Sequence, residues 1–153
     1  MNRHLPFGAK FQSPNKIIVH SMGEIIIDKI KYSAVEWLEK LRLSAHALIT
    51  PDGEVMRCRE DHEGAYHARG FNTDSLGVEF LVPGKHNYST FLKEIEKDWV
   101  TDAQYEAGTV LLKNWMAKFN INRVERHSDV SPGRKVDPGN GFKWNDFLRG
   151  LSD

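Results

Sequence analysis

Between Arg126 and Gly139 the chain reads RHSDVSPGRKVDPG, fourteen residues with a histidine, two aspartates, a lysine and two proline-glycine turns but hardly any large apolar side chain. Such a stretch is poor material for a core helix or strand, so it predicts a loop that presents polar groups while the rest of the chain supplies the scaffold. Proline fixes φ and glycine permits tight turns, so Ser131-Pro132-Gly133 and Pro138-Gly139 can hold the loop in one shape. His127 and Asp137, with nine residues between them, lie too far apart for one helical face. An imidazole and a carboxylate held in this way are two of the three protein ligands that a catalytic zinc requires.

Whether a scaffold of adequate size surrounds this loop is a question of composition. At 153 residues, with 40% hydrophobic and 27% charged side chains, the chain reads as one soluble domain spanning 1–153 with a sizeable core. Residues 1–15 carry Pro6, Gly8 and Pro14 without periodicity and read as an irregular lead-in. Lys plus Arg balance Asp plus Glu at 21 each, which gives no support to a nucleic-acid partner. The single cysteine, Cys58, excludes an internal disulfide and reads as a small buried hydrophobe. The start, MNRHLPFGAKFQ, lacks the apolar core of a signal peptide, and no run approaches the about 18 apolar residues of a membrane span. The expectation is a monomer made in the cytoplasm without membrane insertion, which would need a holin-like exit route to reach an outside target.

Upstream, KIIVH at 16–20 predicts a strand buried on both faces that ends in His20, where open sheets deliver functional side chains. Taken alone, His20 reads as a satisfied core histidine. Ser33 with Glu36 forms a capping box and opens an amphipathic helix to Leu43. Strands at 43–49 and 54–59 flank Pro51-Asp52-Gly53 and predict a hairpin. His46 falls in the first of them, and both a core and a site-lining role stay open. Residues 60–72 predict a polar surface loop. Residues 75–82, SLGVEFLV, predict a strand in which Glu79 is costly unless paired or functional. Residues 83–100 read as a loop with a short helical piece near 91–97. Thr101 and Gln104 cap a long helix to Phe119, 124–126 is a short strand, and 144–151 closes the chain as a small helix.

His20, His127 and Asp137 supply two imidazoles and one carboxylate, a set that suits zinc and leaves a fourth position open. Glu79, placed among apolar neighbours that raise its pKa, is the candidate general base. Lys135 could set a cation beside a developing oxyanion.

The segments KIIVH, RLSAHALITPDGEV, GAYHARGFN, DSLGVEF, TDAQY and RHSDVSPGRKVDPG, in this order from about 16 to 149, resemble the zinc-dependent N-acetylmuramoyl-L-alanine amidases. That superfamily includes peptidoglycan recognition proteins, bacterial recycling amidases and small phage endolysins. The resemblance implies an α/β fold with a mixed central sheet flanked by helices. It implies one Zn2+ on His20, His127 and Asp137, with Glu79 as acid/base and Lys135 polarising the substrate carbonyl. The substrate would be peptidoglycan or a muropeptide, cut between N-acetylmuramic acid and L-alanine. Arg42, His46 and the segment with His67, Arg69 and Asn72 correspond to the substrate groove, where Arg42 or Arg69 could pair with a stem-peptide carboxylate. Some phage members carry a tyrosine before the SAH-type histidine and a cysteine as third ligand. Here Ala45 and Asp137 stand instead, as in the recycling type, whereas the shortness of the chain between His20 and Arg42 and around Gly70 favours an endolysin used in bacteriolysis. Recycling of soluble anhydromuropeptides and non-catalytic wall binding are the alternatives.

Overall fold

The computed structural model describes residues 2–153. Its sheet is organised on β1 (Lys16–Ile27), which runs parallel to β5 (Ser75–His86) on one side and to β6 (Val124–Arg126) on the other. Beyond β5 lie β3 (Ala47–Ile49), parallel to it, and β4 (Val55–Arg57), antiparallel to β3. β2 (Ile30–Tyr32) folds back antiparallel on the far end of β1, completing a six-stranded mixed sheet.

Strand alternation divides the core between the two faces. Ile17, Val19, Ala47, Ile49, Val78 and Phe80 pack against Leu111, Leu112 and Trp115 of α3 (Asp102–Phe119) and Phe147 of α5 (Trp144–Ser152). Leu48, on the opposite face, packs with Ala34, Val35 and Leu38 of α1 (Ala34–Lys40) and with Leu5, Ala45 and Cys58. Each fully buried Leu or Ile here contributes about 1.5–3 kcal/mol. Both expected capping boxes are present, Ser33 with Glu36 and Thr101 with Gln104. Residues 2–15 hold no helix or strand, and buried Arg59 ties them to the 60–72 loop by donating to the carbonyls of Leu5, Ala9 and Gly64. Cys58 is buried, as expected.

Several boundaries differ from the sequence-based expectations, and each difference has a non-local cause. β1 continues seven residues past His20, so the histidine lies inside the strand; pairing with β5 carries the chain through Ser21, Gly23 and Glu24 despite their polarity. The hairpin to β2 has no Gly or Asn signal because Asp28 and Lys29 themselves take positive φ, 51° and 65°. β5 runs on through Pro83 and Gly84, which fall in the register shift opposite Gly23/Glu24, where no ladder N–H is required of the proline. β3 is only Ala47–Ile49, so His46 stands just before it. α2 (Tyr88–Glu94) begins earlier than expected because Asn87 caps it by accepting from Thr90 N–H. The polar loop itself opens with one helical turn, α4 (His127–Val130).

Candidate metal and catalytic site

Register sets the site. In the ladders Leu48 pairs with Glu79 and Glu79 with His20, and Val19 pairs with Arg126, the residue before His127. Three parallel neighbours therefore bring Glu79, His20 and His127 side by side on the α1 face, at the point where β6 ends and the polar loop begins.

The loop then returns Asp137 to the same point. Ser128 N–H donates to the Asp137 carbonyl at 3.0 Å, and Gly141 N–H donates to Ile95 O at 2.8 Å. Gly139, at φ 88°, sits so close to the end of α2 that a Cβ there would lie 2.4 Å from the Ile95 carbonyl oxygen. Only glycine allows this approach, which clamps the loop behind the aspartate.

The three donor groups converge. His20 Nδ1 lies 3.0 Å from His127 Nδ1 and 3.3 Å from Asp137 Oδ2, and His127 Nδ1 lies 3.2 Å from Asp137 Oδ1. A tetrahedral zinc with bonds of about 2.0–2.1 Å has ligands about 3.3 Å apart, so these spacings fit such an ion. Burial alone would raise the Asp137 pKa, but its contacts with the His127 and His20 imidazoles outweigh burial and hold it well below the usual carboxylate range. Burial pushes His20 down, so it is a neutral imidazole available as a ligand.

Glu79 is 7% exposed, and its Oε2 lies 3.9 Å from His20 Nδ1 while Oε1 has no partner among the described residues. Burial first, and the Asp137 charge second, raise its pKa well above the ordinary value. Its carboxylate thus takes up a proton more readily than an ordinary one. Lys135 is exposed at the rim of the same cavity, of about 230 Å³, which His20, Glu79, His127 and Asp137 line together with Trp37, Leu43, Tyr88 and Val136.

The remaining expected residues divide. Arg69, Asn72 and His67 line an adjoining cavity of about 360 Å³ with Lys135 and Arg134. Arg134 was not singled out from the sequence, although its place beside Lys135 in the polar loop was a usable signal. Asn72 Oδ1 accepts from the N–H groups of His67 and Ala68 and so shapes the loop. Half-buried His67 contacts His20 instead of presenting free nitrogens, with Nδ1 2.8 Å from His20 Nε2 and Nε2 3.0 Å from Ser75 Oγ. Burial, then the neighbouring histidines, lower its pKa well below the ordinary value. Arg42 is exposed at φ 57° in the turn after α1 and lines neither cavity. His46 corrects the expectation of a substrate contact. It is fully buried, Nδ1 accepts from Gly77 N–H, Nε2 donates to Glu63 O, and burial lowers its pKa to about 4.

Comparison with known proteins gives the family of the chain. Residues 10–140 match the family model described as N-acetylmuramoyl-L-alanine amidase. The 1,6-anhydro-N-acetylmuramyl-L-alanine amidase AmpD of Haemophilus influenzae is 31% identical over 118 residues, covering 71% of this chain and 59% of that protein. The chain therefore spans well under two thirds of that relative's length. An endolysin of Enterobacteria phage T3 is 31% identical over 96 residues, 63% of this chain and 58% of the endolysin. The solved structure of the N-acetylmuramoyl-L-alanine amidase LysC from Clostridium intestinale superposes with a TM-score of 0.70 at 25% identity, over 92% of this chain and 87% of that one. With the family model covering most of its length, the chain belongs to the N-acetylmuramoyl-L-alanine amidase family.

Proposed function

We propose that this protein is a zinc-dependent amidase that hydrolyses the bond between the lactyl group of N-acetylmuramic acid and the L-alanine of the stem peptide. The observation that carries the reading is the convergence of His20 Nδ1, His127 Nδ1 and the Asp137 carboxylate at 3.0–3.3 Å beside a protonatable Glu79. Zinc, when bound by these three groups, supplies a positive charge that polarises a carbonyl and acidifies water. Glu79 takes the proton from the attacking water and returns it to the departing amide nitrogen, the role its raised pKa suits. Lys135 brings a cation to the carbonyl oxygen as negative charge develops there. Arg69 and Arg134, beside Lys135 in the adjoining cavity, offer guanidinium groups for a stem-peptide carboxylate.

The physiological substrate on this reading is the intact wall, as for an endolysin. Support comes from the short rim: only a two-residue hairpin turn, β2 and the seven-residue α1 separate the end of β1 from Arg42, leaving little to close the groove over a polymer. The H. influenzae relative, named for anhydro-muramyl substrates, favours the second reading, soluble recycling. The test is digestion of purified sacculi and, separately, of soluble anhydromuropeptides by the zinc-loaded protein, with a chelator-treated control and mass spectrometry of the products. Free peptides beginning at L-alanine, released from sacculi only with metal, are the expected result. Release from soluble fragments alone would replace the endolysin reading with recycling, and release from neither would refute the amidase.

A further inference from the structure

Behind His20 lies a hydrogen-bonded chain whose proton positions can be deduced. Ser75 Oγ is 2.5 Å from the Phe71 carbonyl, which can only accept, so the hydroxyl hydrogen points there. The Ser75 oxygen then accepts from His67 Nε2 at 3.0 Å, which must carry hydrogen. A neutral imidazole has one N–H, so His67 Nδ1 is bare and accepts from His20 Nε2 at 2.8 Å. His20 in turn keeps its hydrogen on Nε2. Its Nδ1 is left as a bare lone pair, aimed at the point where His127 and Asp137 meet.

We propose that His67, held by Ser75, is the positioning residue that fixes the tautomer and ring orientation of His20 for metal binding; this rests on the metal reading above and deepens it. Outer partners of a metal-ligating histidine set which nitrogen faces the ion and raise its basicity. The local structure is arranged to seat this one ring. A Cβ on Gly77 would lie 2.5 Å from His67 Nδ1 and 2.6 Å from its Cγ, so the imidazole rests directly on the backbone of β5. Gly77 is held from its other side by buried His46, which accepts its N–H at 3.0 Å and donates its own backbone N–H to the Gly77 carbonyl at 2.9 Å. Asn72 fixes the backbone of His67 and Ala68. The second imidazole has no such support: His127 Nε2 is buried without a partner among the described residues. The orientation of His20 is therefore the one that these neighbours determine.

The test uses wild type, His67→Phe and His67→Asn. Phenylalanine fills the ring's space without an acceptor, while asparagine can return an acceptor near the Nδ1 position. Zinc affinity is read by competition with a chromophoric chelator, and the His20 tautomer by nitrogen NMR of the metal-free protein. The expected results are His20 protonated on Nε2 in wild type, a loss of about 10–100-fold in zinc affinity for His67→Phe, and recovery of most of it in His67→Asn. Should His67→Phe fail to fold, the wild-type tautomer and the affinity of His67→Asn still decide the matter. Unchanged affinity in folded His67→Phe, or His20 protonated on Nδ1 in metal-free wild type, would overturn the proposal. A wild-type protein that takes up no zinc would instead sink the metal reading on which it rests.

Discussion

Replacing Glu79 by glutamine keeps the side chain's shape and removes its acid-base chemistry, so it separates two consequences of one buried carboxyl group. The folded-state pKa is raised well above 4.5 by burial and by Asp137. Below pH 4.5 both folded and unfolded chains are protonated at this position, and the stability it contributes is fully present. Above pH 4.5 the unfolded chain ionises first, so unfolding releases a proton and stability falls with pH by up to about 1.4 kcal/mol per unit until the folded pKa is passed. Glutamine has no such slope. In metal-free protein, Glu79→Gln minus wild type should therefore start near zero at pH 4 and rise toward neutrality, as read by urea unfolding at a series of pH values. With zinc loaded, the same variant should retain the ion and lose about 10²–10⁴-fold in turnover, or about 3–5 kcal/mol of transition-state stabilisation. A flat stability difference from pH 4 to 8 would refute the raised pKa. Turnover within threefold of wild type would refute the proton-transfer role, whatever the titration shows.

Two further outcomes follow from the same geometry. Asp137→Ala removes one of the three proposed ligands and leaves two facing imidazoles, so zinc affinity in a chelator competition should fall by more than the about 10–100-fold that loss of an outer partner costs; an unchanged zinc stoichiometry and affinity would show that the ion binds elsewhere. Lys135→Met removes an exposed rim cation that touches no ligand, so bound zinc should persist while kcat drops about 10²–10³-fold, the usual cost of losing one oxyanion donor; a change confined to KM would make Lys135 a substrate anchor.

Local chemistry was legible in the residues. The Ser33/Glu36 and Thr101/Gln104 capping boxes and the Pro51-Asp52-Gly53 turn each act over three or four residues, and the polar loop at 126–139 is one contiguous stretch, so their signals survive in a linear reading. Glu79 was visible as a carboxylate out of place in an apolar strand. The strand ends were not, because the lengths of β1 and β5 depend on each other: Pro83 and Gly84 look like a stop until the register shift opposite Gly23/Glu24 gives them a place. The Asp28-Lys29 turn was equally hidden, since neither residue advertises positive φ.

The sequence by itself determined which side chains are available for the proposed site, two imidazoles and a carboxylate of the kind that suits a metal and a further acid in an apolar strand, because residue type fixes what a group can donate, accept or ligate. Only the tertiary structure decided which histidine does what. His20, His46 and His67 are chemically identical in the sequence, yet parallel register sets His20 beside Glu79, complete burial withdraws His46 from any substrate, and the close approach of His67 to Gly77 turns it against the back of His20. A histidine's role depends on which of its two nitrogens finds a partner, and those partners come from β1, β5 and the 60–72 loop, which meet only when the chain has folded.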